Sequence, residues 1–164
     1  MEEQATNATL AAEPLEVIVH GSARGFPQEI TAGSHRLQAD EPIAVGGTDT
    51  GPGPYDLLLA SLGSCTSMTI GLYARRKQWP LEAVRVRLRH SRLHAADCEN
   101  CETQVGMIDR IERDIELVGS LDADQRARLL EIADKCPIHR TLISEIAIRS
   151  RLLPEASGRT GEAY

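Results

Sequence analysis

The sequence predicts an α+β fold. Three observations carry it: short strand-like segments parted by glycines between residues 15 and 40, a charge-free run from Leu57 to Ala74, and a strictly alternating segment, LEAVRVRLRH, soon after that run. The order of strands, long helix, two strands, helix and strand belongs to the α+β class, and no internal repeat is visible.

LEVIVH (15–20), QEITAG (28–33) and HRLQAD (35–40) read as short strands, with Gly21, Gly25 and Gly33 at the turns. DEPIAVGGTDTGPGP is a Gly/Pro-rich loop leading into the first helix. Pro54 suits the first helical turn and Asp56 faces the helix dipole favourably. Pro80 is expected to end that helix after Trp79. In LEAVRVRLRH, Arg85, Arg87 and Arg89 alternate with Val84, Val86 and Leu88, the pattern of a strand with one wet face. MIDRIERDIELVGS has helix-like spacing at Ile108, Ile111 and Ile115. It is nevertheless assigned as a strand, because it follows a turn and the preceding strand needs a partner. LDADQRARLLEIADKC is a helix starting at Leu121 or Asp122, with Leu129, Leu130, Ile132 and Ala133 on its inner face. Pro137 interrupts it after Cys136, and EIAIRSRL is expected to close the domain as a last strand. Residues 1–13 and the tail from 154 to 164 are polar or small and are expected to be disordered, which leaves one domain over 14–153.

A length of 164 residues fits one domain, or one protomer that completes its core by dimerising. Aromatic residues are only 3%, so the core must be built from Leu, Ile, Val and Ala. The net charge of −6 and the lack of a basic cluster interleaved with aromatics argue against a nucleic-acid partner. The acidic start MEEQATNATLAAEP has neither a basic nor an apolar signal region, so the cytoplasm is the expected compartment. In that compartment the four cysteines are expected as thiols rather than as structural disulfides. About 18 apolar residues can begin to span a bilayer. Here Ser61, Gly63, Ser64, Thr66, Ser67, Thr69 and Gly71 interrupt the run, which suits close packing inside protein, and no membrane partner is expected.

Two cysteines stand out. A buried cysteine by itself is usually a small inert hydrophobe. Cys65, however, has Ser64, Thr66 and Ser67 beside it, which can donate hydrogen bonds to a thiolate. Cys136 lies in KCPIHR, where Lys135, His139 and Arg140 add positive charge. Lowering a thiol pKa needs such company, and only the thiolate is nucleophilic. His20, His35 and His139 read as surface or core polar residues.

GPGPYDLLLASLGSCTSMTIGLYARRKQWPLE, followed by DKCPIHRTL, resembles the OsmC/Ohr family of thiol peroxidases over residues 15 to 152. The resemblance implies an intertwined homodimer, with two long helices at its centre wrapped by antiparallel sheets. It matches Cys65 to the peroxidatic cysteine, which becomes a sulfenic acid, and Cys136 to the resolving cysteine that forms a disulfide with it. It further implies an organic hydroperoxide substrate and a dithiol reductant, which is a lipoylated protein in some members. No cofactor or metal is implied. Cys65 lies about three turns beyond Pro54, too far for the helix N-terminus to act on it. The family uses an arginine instead, for which Arg24 is the match and Arg36 the fallback.

The family's glutamate after the helix-opening proline is missing. Tyr55 stands in that place and Asp56 follows it. At 100° per residue, Asp56 lies about 180° around the helix from Cys65 and Tyr55 about 80°. Asp56 is therefore a poor geometric substitute for that glutamate; Tyr55, Asp56 and Glu41, in the DEP loop, stand as the candidates for the substrate side of the site. HAADCENCET adds His94, Cys98 and Cys101, which read as most of a zinc site, as a redox dithiol, or as a plain hairpin tip. The expectation is a thiol peroxidase. The alternative, which the missing glutamate favours, is a non-catalytic protein of the same fold that binds small molecules or senses redox state.

Overall fold

The computed structural model describes residues 15–98, 101–103 and 105–154. The tails expected to be disordered, 1–13 and 154–164, lie outside these residues except for Pro154. Strands β1 (Val17–Gly21), β2 (Gln28–Ala32) and β3 (His35–Ala39) precede helix α1 (Pro54–Lys77). Strands β4 (Leu81–His94) and β5 (Met107–Gly119) follow, and then helices α2 (Ala123–Ala133) and α3 (Pro137–Leu142). The class is α+β. The chain divides into two compact units: the described residues through Ser61 with Leu88–Arg113, and Leu62–Arg87 with the residues from Asp114 onward.

In the first unit β1, β2 and β3 form an antiparallel meander, with Val19 opposite Ile30 and Ile30 opposite Leu37. The β2–β3 turn needs only two residues between Ala32 and His35. Gly33 takes its positive φ of 59°, a conformation that side chains with a Cβ resist. The Gly/Pro-rich loop after β3 winds around Asp40, which is 2% exposed. The Asp40 carboxylate accepts from the backbone N–H of Glu41 (2.8 Å), Thr48 (2.9 Å) and Thr50 (3.1 Å) and from both threonine hydroxyls. The Thr48 hydroxyl bond is the foremost influence, and together these donors hold the Asp40 pKa far below the usual carboxylate range despite burial. At the other end of the loop Asp56 accepts from the Gly53 N–H (3.0 Å), so this carboxylate is spent on the start of α1.

The second unit has an aliphatic core, as the shortage of aromatics requires. Ile70, Ala74, Leu121, Leu129 and Ala133 form it, with Tyr73, Trp79, Leu81, Val84, Ile115 and Leu117 packed around them. By length and composition α1 could cross a membrane. Its buried positions are Leu62, Thr66, Ile70 and Ala74, an unbroken i+4 stripe, two members of which enter this core. Full burial of a residue such as Ile70 or Leu129 contributes roughly 1.5–3 kcal/mol. The helix ends earlier than Pro80 would dictate. Gln78 turns left-handed (φ 56°), its N–H reaches the Arg75 carbonyl, and the Trp79 N–H reaches that of Ala74 (3.0 Å). The Trp79 ring then packs edge-on against Tyr73 at 5.6 Å, so a Schellman turn with its apolar contact closes the helix at Lys77, three residues before the proline.

β4 and β5 form a two-stranded sheet and contribute to both units. As the alternation predicts, Arg85, Arg87 and Arg89 are exposed while Val84, Val86 and Leu88 are half-buried. Arg85 pairs with Glu116 in the second unit, and His90 with Asp109 (2.9 Å) in the first. Gly119 ends β5 at φ 137°, where a Cβ would stand 2.1 Å from the Pro80 carbonyl oxygen. Asp122 caps α2 reciprocally with Gln125, at 2.7 Å and 3.1 Å.

Three expectations are corrected. Leu130 is 57% exposed, because the inner stripe of α2 is Leu129, Ile132 and Ala133, and Leu130 lies 100° from Leu129. Pro137 does not interrupt α2, which has already ended at Ala133; it opens the six-residue α3 as its first residue. Residues 145–152 form no strand, since among the described residues no ladder takes them up, and Ile148 is 85% exposed.

Candidate active site

Two elements of the second unit bring the central cysteines together. Cys65 sits one position before Thr66 of the buried α1 stripe and is only partly exposed. Cys136 directly precedes Pro137, where the chain turns from α2 into α3, and none of its surface is exposed. Both are free thiols, within mutual hydrogen-bonding reach.

Their surroundings treat them differently. Burial pushes Cys65 up, and its hydrogen bond to Cys136 pushes it further. The Ile138 N–H and the Thr69 hydroxyl offset this in part. Cys136 is also penalised by burial, but the Cys65 thiol, the amides of His139 and Ile138 and the Thr66 hydroxyl together outweigh that penalty. Its pKa falls below the ordinary thiol value. The two thiols thus act on each other in opposite senses, raising the Cys65 pKa and lowering that of Cys136. Thr66 is fully buried. Its hydroxyl also donates to the Leu62 carbonyl (2.8 Å), so its one proton serves either partner. The Thr69 hydroxyl donates to the Cys65 carbonyl (2.8 Å).

The sequence marks Thr66 as a neighbour of Cys65 and, with Thr69, as an interruption of the apolar run, but gives neither Thr69 nor Ile138 a part at the site. The i+4 stripe carried a signal for Thr66, since a hydroxyl on a buried stripe requires a partner. KCPIHR draws attention to the charges of Lys135, His139 and Arg140, yet of His139 it is the backbone amide that acts on Cys136. The short α3 sets that amide in place.

Arg24, Glu41, Tyr55 and Asp56 belong to the first unit. Arg24 lines a cleft of about 450 Å³ with His20, Gln28, Glu29 and Gln38. Arg36, its fallback, lines a second cleft of about 710 Å³ with Leu37, Pro52 and Leu57. Tyr55 stacks on His90 with ring centres 4.3 Å apart, and His90 is bound in turn to Asp109. Glu41 is half-buried, and its N–H donates to Asp40.

Cys98 and Cys101, expected as thiols, are joined by a disulfide with Cα atoms 5.6 Å apart. In that state neither sulfur is a thiolate, so the disulfide form of His94, Cys98 and Cys101 does not offer most of a zinc site. Among the described residues no group of three or more metal-ligating side chains occurs.

A family model described as "OsmC-like protein" matches residues 47–151. Among curated proteins nothing matches. The fold is similar to that of an OsmC-like protein from Mycoplasma pneumoniae (TM-score 0.62, 16% identity, 80% of this chain and 88% of that one). It is similar too to an organic hydroperoxide resistance protein OsmC from Legionella pneumophila (0.59, 22%, 81% and 91%). An organic hydroperoxide resistance protein from Elizabethkingia anophelis, with thiocyanate bound, is a third (0.59, 17%, 79% and 88%). At these identities the likeness concerns the fold.

Proposed function

The chain belongs to the OsmC-like protein family, and from that premise we propose that it is a cysteine-based peroxidase that reduces organic hydroperoxides through Cys65 and Cys136. One observation carries the proposal: two reduced cysteines meet, one sealed from solvent and the other partly open. Access decides which sulfur attacks. A peroxide can approach Cys65, whereas Cys136 has no exposed surface.

Attack begins as the Cys136 thiolate takes the proton of Cys65. The Cys65 sulfur displaces the alkoxide from the O–O bond, and the alkoxide recovers that proton from Cys136 and leaves as the alcohol. Cys65 is now a sulfenic acid. The regenerated Cys136 thiolate attacks it, hydroxide leaves, and the disulfide forms. The balance is one thiol, one thiolate and one hydroperoxide in, with one disulfide, one alcohol and one hydroxide out. A dithiol reductant in the cytoplasm then restores the pair. Arg24 is assigned a supporting role on the strength of the family motif alone.

A homodimer is part of this reading. Met68 and Leu72 on α1, Val17, Ile18 and Val19 on β1, and Ile146 and Ile148 near the C-terminus are all exposed apolar side chains, which a second copy would cover.

The second reading, a non-catalytic redox-sensing or small-molecule-binding protein, is favoured by Tyr55, whose ring engages His90 where the family motif has a carboxylate. Cumene hydroperoxide added to the fully reduced protein separates the two. The peroxidase consumes it stoichiometrically, the Cys65→Ser variant does not, and peptide mapping finds a Cys65–Cys136 disulfide. Consumption unchanged in Cys65→Ser, or none by the native protein, would overturn the proposal.

A further inference from the structure

We propose that Cys98 and Cys101 constitute a second redox site, a reversible disulfide that exchanges two electrons with a dithiol. This inference does not rest on the peroxidase reading, since it concerns different cysteines in the other compact unit.

The first argument is what the disulfide does not hold together. It joins residues three apart in sequence, so it constrains only the tip of the connection between β4 and β5. The base of that connection is already closed, because the Ala95 N–H donates to the Gly106 carbonyl at 2.8 Å. A ring this small also removes little entropy from the unfolded chain, and the stabilisation from such closure grows with loop length. A staple would be expected between distant segments. This one bridges almost nothing.

The second argument is access combined with a fixed backbone. Ala95–Asp97 form a turn of 3-10 helix, and the Cys98 N–H donates to the Ala95 carbonyl (3.1 Å), which fixes where Cys98 sits. Ala95 is buried beneath the turn, while His94, Asp97 and Glu102 are exposed and both cysteines are half-exposed. An incoming thiolate can therefore reach the disulfide without unfolding its surroundings. Two half-exposed cysteines separated by two residues, the first fixed by an adjoining turn, suit thiol exchange rather than mere cross-linking.

The exchange balances simply. One thiolate of the dithiol attacks one sulfur of the pair, and a mixed disulfide forms as the other cysteine leaves as thiolate. The second thiol of the reductant then attacks the mixed disulfide. Cys98 and Cys101 gain two electrons and two protons, and the reductant becomes a disulfide.

The test uses the full-length protein in its native state. Dithiothreitol serves as the small dithiol and reduced thioredoxin as the protein dithiol, with alkylation and peptide mass mapping at each reductant potential. At least one of them should open Cys98–Cys101 fully while the circular dichroism spectrum and melting midpoint stay unchanged. Reoxidation by oxidised dithiothreitol should restore the pair. Opening by dithiothreitol alone assigns a small dithiol, and opening by thioredoxin a protein one. The double variant Cys98→Ser with Cys101→Ser should melt at the native temperature. A pair that neither reagent opens until the protein is denatured, or a double variant that melts well below the native protein, would show a structural staple and overturn the proposal.

Discussion

Thr66 and Cys136 are both fully buried, and the Thr66 hydroxyl is one of the groups that keep the Cys136 pKa low. Thr66→Val keeps the shape of the side chain and removes that donor. Since the Cys136 pKa lies below the ordinary thiol value, activity that needs its thiolate fails as pH falls through that lowered value. In Thr66→Val the acidic limb of the pH–rate profile of peroxide consumption should move to higher pH. A profile that keeps its position while the rate drops evenly would assign Thr66 to packing alone.

Cys136→Ser separates attack from resolution. It removes the proton acceptor for Cys65, and loss of a positioned base slows a step by roughly 10²–10⁴-fold. The variant should therefore complete one slow turnover and stop at a Cys65 sulfenic acid, which dimedone labels and mass spectrometry reads. Full multiple-turnover activity in this variant would exclude Cys136 as the resolving thiol.

Asp40→Asn should lower the melting temperature at neutral pH. The carboxylate accepts from five N–H and O–H groups, whereas an amide presents two N–H donors of its own to some of them. The pKa of Asp40 is depressed in the folded state. Its contribution is therefore complete above the ordinary value of 3.8 and is lost as pH falls from there through the lowered folded value. Melting curves of both proteins should differ by a constant amount above about pH 5 and converge only in stronger acid.

Leu129→Ala and Leu130→Ala should part company. Leu129 has no exposed surface and belongs to the core cluster, so its truncation costs about 2–5 kcal/mol. Leu130 faces outward, and its truncation should stay within about 0.5 kcal/mol. Urea denaturation measures both.

Much of this could be read from the residues. The charge-free run announces α1, the Arg/Val alternation announces β4, and Asp122 marks the start of α2 with its capping side chain. β5 has a helix-like spacing of its own, yet β4 requires a partner, and the two strands pair. What escaped was set by distance in the chain or by shortness. A six-residue α3 is too brief to show a period, so only Pro137 hinted at it, as a breaker. The C-terminal Ile146 and Ile148 alternate like a strand, but alternation cannot supply the neighbouring strand that a ladder needs. At the site, both cysteines stood out because each lies in a distinctive motif. The amides of Ile138 and His139 that act on them left no trace in the residue types, since any residue but proline brings an N–H.

The aromatic poverty of the core has an optical consequence. Trp79 is the chain's one tryptophan, and it sits in the unit that holds Cys65 and Cys136, edge-on to Tyr73 and packed against the core around Ile70 and Leu129. Indole emission thus originates wholly in that unit. Unfolding followed at the red-shifting fluorescence maximum reports the surroundings of the reactive thiols. The meander of β1–β3 and the loop around Asp40 remain dark in this channel, and wherever circular dichroism and fluorescence give different midpoints, the gap between them measures how independently the two units melt.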